Sequence, residues 1–203
     1  MTFDRAELGR KYPITVVDYA PRWPDLYETE ARSLRTQFPQ VVRRTEHFGS
    51  TAVPGLASKP VIDILVEITS FEAAQREIIP ALDKQGYVYM WSADRSPGHM
   101  MFVKGYGPDG YLDNVQRYHL HMAPRDHSIW DRLLFRDYLR RHPDAARRCA
   151  ELKRRLADLH RNDREAYTDA KAQFVAEITR AAKAEAANAP GPPAPPAGRG
   201  RTR

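Results

Sequence analysis

The sequence predicts an α+β fold: a mixed β-sheet with a helix before it and a helical bundle packed on it from the C-terminal side. Three features lead to this expectation. Val61 to Ile68 reads "VIDILVEI", a near-continuous β-branched run of the kind that forms a strand covered on both faces. Short extended runs separated by glycine turns surround it as far as Met122. After Pro124 the apolar residues recur at threes and fours, the spacing of amphipathic helices.

Residues 24–38, "PDLYETEARSLRTQF", begin with a proline suited to a first helical turn and carry Leu26, Ala31 and Leu34 on one side. Residues 41–48 are extended and mostly polar, an exposed strand running into the Gly49-Ser50 turn. After the apolar strand, Thr69-Ser70 with Glu72 forms a capping-box pattern that opens a helix to about Lys84, and Gly86 ends it. Further strands are expected at residues 87–91, 100–106 and 114–122. Trp130, Leu133, Leu134 and Tyr138 share a helical face, and Pro143 opens the next helix, lined by Ala145, Cys149, Leu152, Leu156 and Leu159. Asn162 with Glu165 caps the last helix, whose inner side carries Tyr167, Phe174, Ile178 and Ala181.

Size and composition limit the alternatives. A chain of 203 residues with 42% hydrophobic content buries one good core. No stretch approaches the roughly 18 consecutive apolar residues of a membrane span, and "MTFDRAELGRKY" lacks the order of a secretory signal. A single cysteine, Cys149, excludes an internal disulfide and falls at a buried helical position. The expectation is a soluble cytoplasmic protein with one domain over residues 1–187. Residues 188–203 form a Pro/Gly/Arg tail too poor in apolar residues to order itself. Its three arginines supply half of the formal charge of +6, so nucleic acid is not an expected partner.

The chemistry concentrates in "HFGSTAVPGLASKPVIDILVEI". Gly49 lets the chain turn sharply and lets an anion approach the main chain, while Ser50 and Thr51 add hydroxyls. Lys59 supplies a point charge, and Asp63 sits on the strand that follows. A glycine-serine turn followed by an aspartate on an apolar strand is a layout used in nucleotidyl transfer. The turn holds phosphates, and strand carboxylates hold a divalent ion that neutralises developing charge. A β-turn whose neighbouring aspartate makes a local hydrogen bond has the same sequence.

The longer wording is more specific. "EHFGSTAVPGLASKPVIDI", then "YHLHM", "FRDYLRRHPDAARRCAELKRRLA" and "REAYTDAKAQF", resembles the GrpB family over roughly Tyr12 to Ala182. The resemblance implies a nucleotidyltransferase-like superfold and a phosphate-bearing ligand; a related domain is fused to dephospho-CoA kinase in some bacteria. It also implies a carboxylate two residues after the first, where this chain has Leu65. Glu67 shares the face of Asp63 but lies ~13 Å along the strand, against ~6.6 Å for a two-residue step, too far to share one ion.

Other residues can complete the site. His119 and His121 stand at i and i+2 on one strand face, in the region from which the superfold draws a third carboxylate. With Asp63 they make a two-histidine, one-carboxylate set suited to a divalent metal such as Mg²⁺ or Mn²⁺. The same pair can instead contact an anionic substrate or serve structure alone. His47 abuts the turn, and His99, His127, His142 and His160 read as surface or cap residues. Tyr167 and Lys171 share a face of the last helix, where Lys171 meets either a phosphate or a structural partner. Asp63, Lys59, His119 and His121 are therefore the candidate catalytic residues, with His47, Gly49, Ser50, Thr51, Tyr167 and Lys171 as candidate substrate contacts. Two functions follow: a nucleotidyltransferase-like enzyme acting on a nucleotide and a small metabolite, or a non-catalytic nucleotide- or coenzyme-binding module.

Overall fold

A computed structural model describes residues 5–90 and 99–188. The chain runs α1 (Arg5–Lys11), α2 (Trp23–Gln37), β1 (Val42–Phe48), β2 (Val61–Ile68), α3 (Phe71–Asp83), β3 (Tyr87–Tyr89) and β4 (Met100–Lys104). A small hairpin of β5 (Tyr106–Gly107) and β6 (Gly110–Tyr111) leads to β7 (Arg117–Ala123), then α4 (Arg132–Arg141), α5 (Pro143–Leu159) and α6 (Arg164–Asn188). The main sheet has the order β1-β2-β7-β4-β3, and its β2–β7 pair is parallel while the other pairs are antiparallel. The expected α+β architecture is therefore present. No helix among the described residues is long and apolar enough to cross a membrane.

β2 lies next to the β1 edge, yet both of its faces are covered. Ile62, Ile64 and Val66 point to the main core, where they meet Trp23 and Leu34 of α2 and Ala74, Ile78 and Leu82 of α3. Leu65 points the other way, into a cluster with Phe48, Ala123 and Ile129. Each fully buried aliphatic side chain contributes about 1.5–3 kcal/mol relative to exposure, so the alternation of β2 is strongly specified. A slip of one residue would put Asp63 into the main core.

The C-terminal helices form a second layer that also reaches the loop between β1 and β2. Val53 and Leu56 of that loop are buried among Leu139 of α4, Ala145 and Cys149 of α5 and Ile178 of α6. Arg136 of α4 ties the layer to the sheet, donating from Nη1 to Glu46 Oε2 at 2.7 Å and to the His47 carbonyl at 2.8 Å.

Several boundaries differ from expectation for local reasons. Ser70, not Thr69, caps α3, its hydroxyl accepting from the Ala73 amide at 3.1 Å. Asp163, not Asn162, does the same for α6 through the Ala166 amide at 3.0 Å. The run at 100–106 breaks at Gly105, whose φ of +89° turns the chain into the hairpin. Asn114 is left-handed at φ 57°, so β7 starts only at Arg117. Trp130 belongs to a 3-10 turn before α4, and Leu139 is the buried anchor of that helix. Leu159, expected inside, is 68% exposed at the end of α5. The expected extension of the third strand to Trp91 and the tail from Ala189 lie outside the described residues.

The anchor and the exposed leucine should separate cleanly in urea unfolding. Leu139→Ala should cost about 2–5 kcal/mol, as large-to-small changes in a packed core do, whereas Leu159→Ala should stay within about 0.5 kcal/mol. Equal effects would contradict the packing described.

Candidate functional site

Asp63 is set beside the histidines by strand register. In the parallel pair, Asp63 lies opposite His119 and Leu65 opposite His121. The fully buried Leu65 occupies the position of the expected second carboxylate, and the neighbouring strand places an imidazole beside it. His119 Nδ1 lies 3.3 Å from Asp63 Oδ1. One ligand atom from each of Asp63, His119 and His121 lies within 4.8 Å of the others, close enough for one divalent ion after small side-chain adjustment.

Two residues outside the sequence-based set complete this cluster. The Tyr106 hydroxyl lies 2.7 Å from His119 Nε2, and burial pushes its pKa up to about 12, so it keeps its proton. With Nδ1–H directed at Asp63, His119 accepts from Tyr106 through Nε2. Ligation of an ion through Nδ1 requires the other tautomer, and the same hydroxyl can then accept from Nε2–H. His99 is no isolated surface residue: its Nε2 is 3.5 Å from His121 Nδ1, and the two rings stack at 5.5 Å.

Electrostatics favour a charged carboxylate in the cluster. Burial opposes ionisation of Asp63, but the His119 hydrogen bond, the two histidines and Lys59 together hold its pKa below the ordinary value. Burial pushes His121 down to about 3, keeping its ring neutral with one ring nitrogen free to accept.

The glycine-serine turn touches this cluster directly. Gly49 has φ +70°, and a Cβ there would stand 2.4 Å from Asp63 Oδ2, so both backbone conformation and space require glycine. Ser50 follows at the start of a 3-10 turn, and among the described residues its hydroxyl has no partner. Thr51 is 1% exposed and donates to the Val61 carbonyl at 3.1 Å. Its oxygen therefore accepts from His47 Nε2 at 3.0 Å. His47 pairs with Ile64 in the register, on the opposite face from Asp63, and stacks on Tyr27 of α2 at 4.8 Å. His47 and Thr51 thus pin the turn from behind instead of facing the cluster.

Cations collect on the helical side. Lys171 Nζ and Lys59 Nζ lie 4.2 and 5.6 Å from the ring centroid of the buried Tyr167. Burial, helped by Arg164 and Lys171, pushes Lys59 down to about 7. Lys153 of α5 was not anticipated; it is 6% exposed, and its Nζ donates to the Ala57 carbonyl at 3.1 Å. Its position four residues after Cys149 and three before Leu156 already placed it on the inner helical face. No comparable signal marked Tyr106 or His99, which reach the site through tertiary packing.

The molecule is thus an α+β protein carrying a carboxylate–imidazole cluster under a tight glycine turn, with the buried Lys153 and the half-buried Lys59 and Lys171 nearby. The chain belongs to the GrpB family, matching "GrpB protein" over residues 13–181. It is 43% identical over 166 residues to a UPF0157 protein of Pseudomonas aeruginosa, covering 81% of this chain but only 66% of that one. A crystal structure of the conserved protein GrpB from Enterococcus faecalis superimposes with TM-score 0.75 and 31% identity, over 86% of this chain and 100% of that one. A shorter similarity, 36% over 73 residues, links 34% of this chain to 18% of a dephospho-CoA kinase of Mycolicibacterium paratuberculosis. The likeness to Cid1 in complex with its short product ApU is remote, with TM-score 0.43 and 13% identity over 64% of this chain and 39% of that one, and carries no argument about activity.

Tyr106→Phe keeps the ring but removes the hydroxyl that orients His119. For a cluster that takes up Mn²⁺, calorimetric titration should then show affinity about 10- to 100-fold weaker, the usual effect of losing a partner of a ligating histidine; a wild-type Mn²⁺ affinity unchanged in the variant would remove Tyr106 from the site. A second expectation concerns acid stability in metal-free buffer. His47 is pushed from 6.5 down to about 4, mainly by burial, so below about pH 6.5 the unfolded chain binds more protons than the folded one. Stability should therefore fall as pH drops from about 6.5 towards 4. His47→Gln should flatten that slope by up to about 1.4 kcal/mol per pH unit, measured by urea unfolding across the range.

Proposed function

We propose that the protein is a metal-dependent, nucleotidyltransferase-like enzyme that acts on a phosphate-activated substrate, a nucleotide in the first instance, and transfers a group to a small metabolite. The observation that carries this reading is the convergence of Asp63, His119 and His121 within 4.8 Å. Its setting supports the reading, since the turn at Gly49 lies on one side and Lys59 and Lys171 act on Asp63 from nearby.

Asp63, His119 and His121 would hold the ion, which when bound supplies charge neutralisation at a phosphoryl group. With two imidazoles and one carboxylate, the set is less suited to Mg²⁺ than an all-carboxylate site and better suited to Mn²⁺. Ser50 offers its hydroxyl and the Gly49 backbone offers close approach. Lys59 and Lys171 stabilise negative charge on the phosphates, the kind of preorganised field that lowers a transfer barrier. Tyr106 fixes the orientation of His119.

One observation favours a second reading, a non-catalytic nucleotide- or coenzyme-binding module. The fully buried Leu65 stands where a second carboxylate would complete an acidic metal pair. A titration separates the two. The enzyme reading expects a Mn²⁺ site in the wild-type protein that weakens by more than about 100-fold in Asp63→Asn, and nucleotide turnover lost with it. A wild type without a Mn²⁺ or Mg²⁺ site, yet stabilised by nucleotides in thermal unfolding, would leave the binding module.

A further inference from the structure

We infer that Lys59, Lys153 and Lys171 form one cradle for a chain of two or more phosphates, so that the site proposed above takes polyphosphate-bearing ligands in preference to monophosphates. This rests on the phosphate-activated substrate just proposed and names the part of that substrate the protein grips. The first support is geometric. Three ammonium groups from three separate elements, the β1–β2 loop, α5 and α6, come together at that loop. Lys59 and Lys171 share the ring of Tyr167, and Lys153 is fastened to the loop at the Ala57 carbonyl.

The second support is their lack of compensation. Among the described residues none of the three lysines forms an ion pair, although the surface of the same helices carries many, such as Arg148 with Glu177 and Lys183 with Asp131. Lys153 has three N–H donors; one goes to a carbonyl and another to the Cys149 sulfur, whose pKa burial raises, so neither partner is a carboxylate. An ammonium buried this deeply without an anion is costly. Asp63 is the carboxylate that acts on all three, and it is already engaged with His119. Arg164 adds another positive charge beside Lys59 and Lys171. Burial and mutual repulsion accordingly push Lys59 to about 7 and Lys153 to about 8.

A single metal ion does nothing for this excess, since it adds positive charge. A lone monophosphate is too compact to engage ammonium groups carried on three separate elements. A phosphate chain brings several negative charges along a line and offers an oxygen to each lysine. Lysine suits this role better than arginine, because a point charge on a flexible stem can follow successive phosphates without bidentate geometry. The cost is stability in the free protein, the usual trade of a binding site built from like charges.

The test uses the full-length protein in EDTA, which keeps it separate from the metal site. Sodium tripolyphosphate, orthophosphate and ATP are titrated by calorimetry, and melting temperatures are followed in parallel. Tripolyphosphate should bind at least tenfold more tightly than orthophosphate, with an affinity that drops as salt rises. Lys153→Met should weaken tripolyphosphate at least tenfold while the free variant melts at or above the wild-type temperature, because it removes an uncompensated buried charge. Lys171→Gln, on a more accessible residue, should weaken it in the same direction and guards against a folding failure of the first variant. Tighter ATP than tripolyphosphate would show that the nucleoside adds contacts to the cradle. Equal affinity for tripolyphosphate and orthophosphate, or wild-type binding by a folded Lys153→Met, would overturn the inference. A missing Mn²⁺ site in the separate titration would sink the enzyme reading and leave the cradle standing.

Discussion

A carboxylate in the middle of the most apolar strand is the constraint around which the protein is organised. Asp63 is flanked by Ile62 and Ile64, both fully buried against α2 and α3. Those neighbours hold the strand in one register, and that register leaves Asp63 nowhere to go except the face shared with β7. An isolated carboxylate there would be expensive. His119 answers it at 3.3 Å, and the histidine is answered in turn by Tyr106 at 2.7 Å. The apolar core thus supplies the force that makes a polar cluster both necessary and well positioned.

The parallel pairing of β2 with β7 does the positioning. It places residues of two distant segments side by side without any loop flexibility between them, so the spacing of Asp63, His119 and His121 is set by backbone hydrogen bonds. It also explains how the site manages with Leu65. The leucine fills the cluster of Phe48, Ala123 and Ile129, and the adjacent strand contributes His121 in the same row. A neutral imidazole thus stands in that row where a carboxylate would carry a charge.

The helical layer is part of the site and not a lid over an independent sheet. Val53 and Leu56 bury themselves among α4, α5 and α6, and Lys153 holds Ala57, so the loop bearing Gly49, Ser50 and Lys59 is braced by the bundle. From the other side, His47 and Thr51 brace it against α2. Glycine at position 49 lets this loop press against Asp63 more closely than any side chain would allow.

Local pattern alone determined much of this. The burial of β2, the helix of residues 24–38, the switch to helical periodicity after Pro124 and the turn before Asp63 are all written in short stretches, because apolar spacing and glycine act on neighbouring residues. The pairing of Asp63 with His119 and His121 was legible as a possibility, since i, i+2 histidines on a strand must share a face. What only the tertiary structure decided is which distant side chains meet. Tyr106 and His99 join the cluster because β4, β7 and the small hairpin pack as they do. Lys153 turns inward because its helix rests on the loop, and His47 turns away because the register of β1 gives it to the opposite face. Helix and strand periods assign a residue to a face, but the partner across that face is chosen by contacts between segments far apart in the chain.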